Sequence, residues 1–599
     1  MRERCANPIF DSSRLLLVTV CSAFFLLCSP FALVRAATPV TVDIQGVRAE
    51  MLENVEAALR VPEALAREGK VDSRWLARFR RQIPEKVRQA LAPFGYFQPD
   101  IETDLENPAP DEYRLLVRIN PGAPVRVEKI NVVLTGPGAE QPALQDLLAA
   151  FPLQKGDVLR QSLYDQTKGA LKARALDLGY LDADFTAHAI RVNRVQGTAA
   201  IDLALDTGPR FHFGAIDIAG GENYPRRFLR RYLAFAPDDV FSFAKLGQTQ
   251  LNFLDSDRFQ GVVVTPREEE AVDHRVPVTI LLTPSLPKRL RPGIGYATDT
   301  GARFTLRYKD VNAFQLGHEI VADLLIAEAQ QSIGAGYIVP SRKNIDSLTA
   351  FRVGYDDEDV DTYESRTYFA EVERRRSFGG GKLGSVYLRV LQESYTVGKD
   401  SSDSSFLVLP GLRYSRRGYG SSARPEKGYF YSLETRGTHQ ALGSDTGLLQ
   451  LVGAANQLFS LPGRFSFFVR GQAGWTIQSE PLRDIPPSLR FFAGGDKSVR
   501  GYAYESLGPE NEDGDVIGGK NLLVGSVELE RALWDDWGVA AFYDAGNAFN
   551  DFGDITFHQG AGLGVRWYTP VGPVKIDVAR QVGAPDPSFC LHISIGFGW

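Results

Sequence analysis

Two rhythms of hydrophobic and polar residues divide the chain. From about residue 290 onward, apolar and polar side chains alternate singly in short runs, the period-two signature of half-buried strands. Val574, Ile576 and Val578 alternate with Lys575, Asp577 and Ala579; Leu591, Ile593, Ile595, Phe597 and Trp599 alternate with His592, Ser594, Gly596 and Gly598. The pattern predicts about sixteen strands, starting near residues 290, 302, 316, 331, 346, 367, 382, 404, 428, 447, 464, 521, 537, 558, 573 and 588. Strands apolar on one face and polar on the other can close into an antiparallel transmembrane β-barrel, which leaves no backbone group unpaired in lipid. Tight turns at Gly379-Gly380-Gly381 and Thr569-Pro570-Val571-Gly572 alternate with longer, acidic connections such as Asp356 to Asp361, as an inner and an outer rim require.

Before residue 290 the rhythm is mixed. Residues 37–122, 123–208 and 209–286 read as three α+β repeats, each opening on a short strand, passing through two helical stretches and closing on two alternating strands. Phe94-Gly95-Tyr96-Phe97 is echoed by Leu178-Gly179-Tyr180-Leu181, with Asp257-Arg258-Phe259 as a degenerate third copy. Arg226-Arg227-Phe228-Leu229-Arg230-Arg231-Tyr232 is a basic amphipathic stretch beside the barrel, suited to anionic headgroups or to a partner. Sheet edges in small mixed domains of this kind can capture an extended chain by strand addition.

Residues 1–36 stand apart. Arg2, Arg4 and Arg14 precede an apolar run from Leu15 to Leu33, and Val34-Arg35-Ala36 offers small residues for cleavage, so a secretory signal peptide is expected. Its removal takes Cys5, Cys21 and Cys28, leaving Cys590 and no thiol pair for a disulfide or a metal. Without its four arginines and two acids, 63 basic side chains face 71 acidic ones. That balance argues against a nucleic-acid partner. The histidines are scattered, no nucleophile–base pair or metal constellation stands out, and neither enzymatic activity nor a cofactor is expected.

One interval breaks the strand rhythm, between Gln478 and Asn521. Loops of this length are usually functional or disordered, and this one is rich in glycine and aromatics around Gly494, Gly495, Ser498, Val499, Arg500, Gly501 and Tyr502. A phosphate loop does not fit, because Asp496 precedes Lys497 where glycine is required. A calcium loop at Asn511 to Asp515 does not fit either, with Pro509 and Lys520 at ligand positions. The fixed charge of Arg500 needs partners. Strand parity turns Glu528 and Asp544 toward the enclosed interior, where a guanidinium could clamp them by bidentate hydrogen bonds.

These residues resemble the sixth extracellular loop of the outer-membrane assembly superfamily that includes BamA, TamA and the two-partner secretion transporters. Its Gly-Gly-x-x-Ser-Val-Arg-Gly-Tyr/Phe hallmark matches residues 494–502, and its Phe-x-Asp-x-Gly strand motif matches Phe542, Asp544 and Gly546, with Glu528 as the inward strand glutamate. The resemblance implies that the loop folds back into the lumen and is pinned there by Arg500. It implies that residues 37–286 are periplasmic POTRA repeats and that the barrel, residues 287–599, lies in the outer membrane. Three repeats are similar to the TamA branch, which implies assembly of outer-membrane clients with an inner-membrane-anchored TamB-like partner, and contact with outer-membrane lipids. An export pore of the two-partner secretion type is the alternative, and a passive porin a third. Closure joins the first strand to the last, and Pro292, Gly293, Gly295, Gly596, Gly598 and Trp599 mark a weak lateral seam, since proline donates nothing to a ladder and glycine packs poorly.

Overall fold

In the computed structural model the described residues are 40–61, 66–67, 70–109, 112–342, 344–399, 402–419, 427–478, 481–569 and 572–595. The expected signal peptide and the seam residues Gly596, Gly598 and Trp599 lie outside them. Among the described residues no helix is long and apolar enough to cross a membrane.

Three sheets of one topology precede the barrel. In each, the opening strand runs parallel to the closing strand, and the penultimate strand flanks the closing strand antiparallel on its other side. Val40–Gln45 pairs with Glu112–Asn120, Arg126–Thr135 with Thr198–Asp206, and His212–Ala219 with Arg275–Pro284. Helices cover one face. In Ser73–Leu91, Leu76, Phe79, Ile83, Val87 and Leu91 recur at helical spacing and pack on Leu115 and Val117 of the central strand. Asp72 caps that helix, its carboxylate accepting from Arg74 N–H at 2.9 Å.

The repeated Gly-Tyr pair marks the joint between units. Gly95 and Gly179 both end helical segments in the left-handed region, with φ of 88° and 90°. The carbonyl of each accepts the N–H that opens the next unit, from Val125 at 2.8 Å and from Phe211 at 2.7 Å. Asp257 holds the same conformation at the joint with the barrel, φ 65°. There the basic stretch is divided: Arg226, Arg227 and Arg230 are exposed, while its apolar side and Arg231 turn inward. It is a single turn, Arg226–Leu229, followed by a 3-10 turn, with Phe228, Leu229 and Tyr232 in the core of the third unit. Arg231 is buried, and its Nη2 donates to the carbonyls of Asn344 (3.1 Å) and Ile345 (2.6 Å) in a barrel turn. Arg258 adds an ion pair to Glu319 at 2.7 Å. The third unit is thereby keyed to the inner rim.

Sixteen strands close the barrel, from Lys288–Ala297 to Phe589–Ile595, each beginning within four residues of its predicted start. Exposed apolar residues such as Ile294, Phe351, Val386, Leu412 and Leu563 form the outer face. Inward-facing charges pair across the wall: Arg352 with Glu371 and Glu373, both at 2.7 Å, and Arg413 with Glu434 at 2.8 Å. The Gly379-Gly380-Gly381 turn has positive φ at all three positions, which a run of side chains would strain.

Candidate functional site: a loop pinned in the lumen

The interval between the strands ending at Gln478 and starting at Asn521 folds on itself. Phe491 and Gly519 exchange backbone hydrogen bonds of 2.9 and 2.7 Å, and Ala493 and Leu507 exchange two of 2.9 Å. Arg490 braces the turn, donating from Nε to Ile485 O (2.6 Å) and from Nη1 to Ile517 O (2.9 Å). Ala493, Val499, Tyr502 and Leu507 then pack on Val524 of the wall. Burying these groups stabilises the loop against the strand whose inward face carries the acids.

Arg500 is 5% exposed and Asp544 fully buried. The guanidinium takes Asp544 bidentately, Nε to Oδ2 at 2.7 Å and Nη2 to Oδ1 at 3.0 Å, while its own backbone N–H reaches Oδ2 at 3.1 Å. Nη1 reaches Glu528 at 2.9 Å and Asp577 at 3.0 Å. Phe542 lies flat beneath the guanidinium carbon, 3.4 Å from its ring centre, so the inward face of one strand supplies both a cation–π floor and a carboxylate. Arg566 is the second cation of the cluster, with Nη2 on Glu528 at 2.9 Å and Nη1 on Asp577. Two guanidinium groups thus share three carboxylates. Asp577 and Arg566 were not singled out in the sequence; parity turns Asp577 inward but says nothing of which charges meet.

Small residues make the fit possible. A Cβ on Gly560 would stand 1.8 Å from the Arg500 carbonyl, and one on Gly562 would stand 2.4 Å from the Phe542 ring. Within the loop, Gly494 and Gly501 have φ of 102° and 100°. Ser498 Oγ accepts from Gly494 N–H at 3.1 Å and closes the turn between them. Gly546 lies against Val524, where a Cβ would stand 2.7 Å from the facing strand. Tyr502 meets the His558 ring edge-on at 5.2 Å.

The loop also crosses the closure of the barrel. Among the described residues the last strand joins the first through the ladder pair of Ala297 with Ser594 and through Thr298 N–H, which donates to Ile593 O at 3.2 Å, and the first and second strands stay in register from Lys288 to Ala297. Pro292, Gly293 and Gly295 lie on the first strand, paired with Leu306, Thr305 and Arg303 of the second. Over Gly295 runs the side chain of Arg303, whose Nη2 donates to Ile595 O at 2.8 Å, a side-chain link across the seam.

Asp496, an unspecified position of the loop motif, ties both sides. Its N–H donates to Asp299 Oδ2 at 2.8 Å in the turn after the first strand, and its Oδ1 meets His592 Nδ1 at 2.5 Å in the last strand. Gly501 N–H donates to His592 Nε2 at 3.0 Å, which places the proton of the neutral ring on Nδ1, facing Asp496. One ligand-type atom from each of Asp299, Asp496 and His592 lies within 4.8 Å of the others. The scatter of histidines in the sequence hid this convergence. Burial, with the Asp496 charge beside it, raises the Asp299 carboxyl from its ordinary 3.8 to about 7.

A lumenal loop pinned by arginine to inward strand acids, on a sixteen-stranded barrel behind three like-folded units, is the arrangement to set beside known proteins. Residues 312–599 match the Omp85 superfamily domain, and residues 41–121 match the POTRA domain called TamA domain 1. The first match takes in nearly all of the barrel. The chain resembles outer membrane protein assembly factor BamA of Nitratidesulfovibrio vulgaris, 22% identical over 393 residues, 61% of this chain and 48% of the relative. BamA of Neisseria meningitidis is 21% identical over 577 residues, covering 83% of this chain and 70% of the relative. The chain therefore spans about half the length of the first and somewhat over two thirds of the second. In fold it is similar to the crystal structure of BamA from Haemophilus ducreyi lacking POTRA domains 1–3, with a TM-score of 0.64 at 16% identity, covering 79% of this chain and 99% of that one. The Omp85 barrel lies in the outer membrane with its N-terminal POTRA domains in the periplasm.

Proposed function

We propose that this chain is an outer-membrane protein assembly factor of the TamA type, which inserts β-barrel or autotransporter clients together with a TamB-like partner anchored in the inner membrane. The match of residues 41–121 to a TamA-type POTRA domain supports the branch. Three POTRA-like units, at 37–122, 123–208 and 209–286, give the sheet edges for capturing clients or the partner. The observation that carries the mechanism is the tie across the seam: Asp496 bonds to Asp299 beside the first strand and to His592 in the last, and Arg303 adds a side-chain link to Ile595 O.

Opening the wall where the first strand meets the last bares two strand edges, which offer a template to a client strand. Arg500, Glu528 and Asp544 act as the clamp that keeps the loop, and with it Asp496, in the bracing position. Loop release and seam opening are thereby coupled. A loop packed across the lumen argues against a passive porin.

Locking the barrel with Ala297→Cys and Ser594→Cys, which face one another in the ladder, tests this reading. Client insertion into proteoliposomes should fall when the disulfide forms and return on reduction. Undiminished insertion by the fully oxidised barrel would rule out lateral opening.

A further inference from the structure

The outer wall carries a cationic patch that the clamp and the seam do not use. On the lipid-facing side, Arg374 and Arg376 sit on the strand Tyr363–Gly379, Lys382 begins the strand Lys382–Val397, and Arg416 stands near the end of Asp403–Tyr419. Register makes them neighbours: Lys382 pairs with Gly379 on one side and with Arg416 on the other, and Arg376 pairs with Gly384. All four are exposed, and among the described residues none of them forms an ion pair with a carboxylate. Arg374 Nη1 donates to Thr349 Oγ1 at 2.7 Å, and Arg376 and Arg416 lie 5.6 and 5.1 Å from the Phe378 and Tyr429 rings. These contacts hold the cations in place without neutralising them.

The patch lies on the periplasmic rim. It flanks the Gly379-Gly380-Gly381 turn, and Ser377 N–H donates at 2.9 Å to Ser347 Oγ, next to the turn whose Asn344 and Ile345 carbonyls hold Arg231 of the third POTRA unit. The same strands carry acids instead at their extracellular ends, among them Glu364 and Asp403. Toward the middle of the wall the surface turns apolar. Val386, Leu412 and Leu433 are 60%, 58% and 49% exposed. They line a groove of about 1360 Å³ that also borders Arg374 and Arg376. A second groove of about 440 Å³ shares Val386 and Leu412 and runs on to Leu442 and Leu449. This second groove lies where pairing with the next strand stops, at Gly411 and Arg436, beside Pro410.

We infer that this face is a binding site for an anionic glycerophospholipid of the periplasmic leaflet, its phosphate held by Arg374, Arg376, Lys382 and Arg416 and an acyl chain lying along Val386, Leu412 and Leu433. Guanidinium groups match phosphate geometry, and interfacial basic clusters draw anionic headgroups. Phe378, Tyr414 and Tyr429 lie where barrel girdles place aromatics. The lipid A of the outer leaflet carries phosphate too, but the cations are at the other rim. This inference does not depend on the insertase reading, since lipid retention is measured with no client present.

Native mass spectrometry of the full chain, stripped of lipid and offered phosphatidylglycerol, cardiolipin, phosphatidylethanolamine and lipid A in turn, tests it. The chain should retain phosphatidylglycerol or cardiolipin at least ~10-fold over phosphatidylethanolamine, given the attraction contributed by each basic residue near an anionic surface. The R374Q/R376Q/K382Q/R416Q variant should lose that preference, and R374K/R376K/R416K should keep it. Heat-modified mobility on gels confirms that each barrel is closed. Equal retention by the glutamine variant, or lipid A bound in preference to glycerophospholipid, would overturn the assignment.

Discussion

Replacing Arg500 by alanine removes the guanidinium that hydrogen-bonds to all three carboxylates, in a site where Arg500 is 5% exposed, Arg566 1% and Asp544 fully buried. Asp544 loses both guanidinium hydrogen bonds and keeps the backbone N–H of residue 500. Breaking a buried pair from one side typically costs about 3–5 kcal/mol, since the remaining charge stays desolvated without its partner. Spent on the docked loop, that shifts its opening equilibrium by a few hundred- to a few thousand-fold. Limited proteolysis of the folded barrel reads this shift, because the stretch 498–507 around Arg500 is buried or half-buried and cleavage within it requires the loop to leave the lumen. Arg500→Ala should be cut at least ~100-fold faster than the parent, and Arg500→Lys should fall between, keeping the charge but losing the bidentate fork. Asp544→Ala should behave similarly, and the double variant should cost less than the sum of the two. If Arg500→Ala and the parent are cleaved at the same rate, the guanidinium does not hold the loop.

Gly560→Ala should loosen the loop without touching any charge, since its Cβ would stand 1.8 Å from the Arg500 carbonyl; protease sensitivity should rise and the thermal midpoint fall, an overpacking cost of about 1–3 kcal/mol. Loop docking should also respond to pH. The raised carboxyl of Asp299 binds its proton more tightly in the folded barrel than in the unfolded chain, so stability should increase as pH falls from about 7 toward 4. Glu505, which burial also raises to about 7, adds in the same sense. Asp299→Asn keeps an acceptor for Asp496 N–H without the charge, and should raise the thermal midpoint at pH 8 and flatten its dependence on pH. Asp496→Ala should speed disulfide formation between cysteines placed off register across the seam, because the first and last strands lose their shared tie.

Where the fold was legible in the sequence, the cause was local. Alternation alone locates sixteen strand starts, because lipid outside and polar lumen inside impose the same period on every strand. The Gly-Tyr echo is visible because each joint between units needs a left-handed residue beside a carbonyl that the next strand addresses. Arg500, Glu528 and Asp544 follow from a family motif together with parity. What stayed hidden depends on closure. Asp299 and His592 lie at opposite ends of the barrel sequence and meet only because the last strand returns to the first, and Asp496 stands at a position the motif leaves unspecified. Arg231 reads as part of a basic face until the turn at Asn344 and Ile345 is brought against it. Parity states which side a residue faces; the shear of the closed cylinder decides which residues touch.

The central claim, that the pinned loop holds the seam shut, is tested most directly by the distance across it. Spin labels at Ile294 and Leu591, both on the lipid-facing side of the first and last strands, report that distance by double electron–electron resonance. The account predicts one narrow distribution in the parent barrel and an added, longer component in Arg500→Ala and Asp496→Ala. Identical narrow distributions in all three would contradict it.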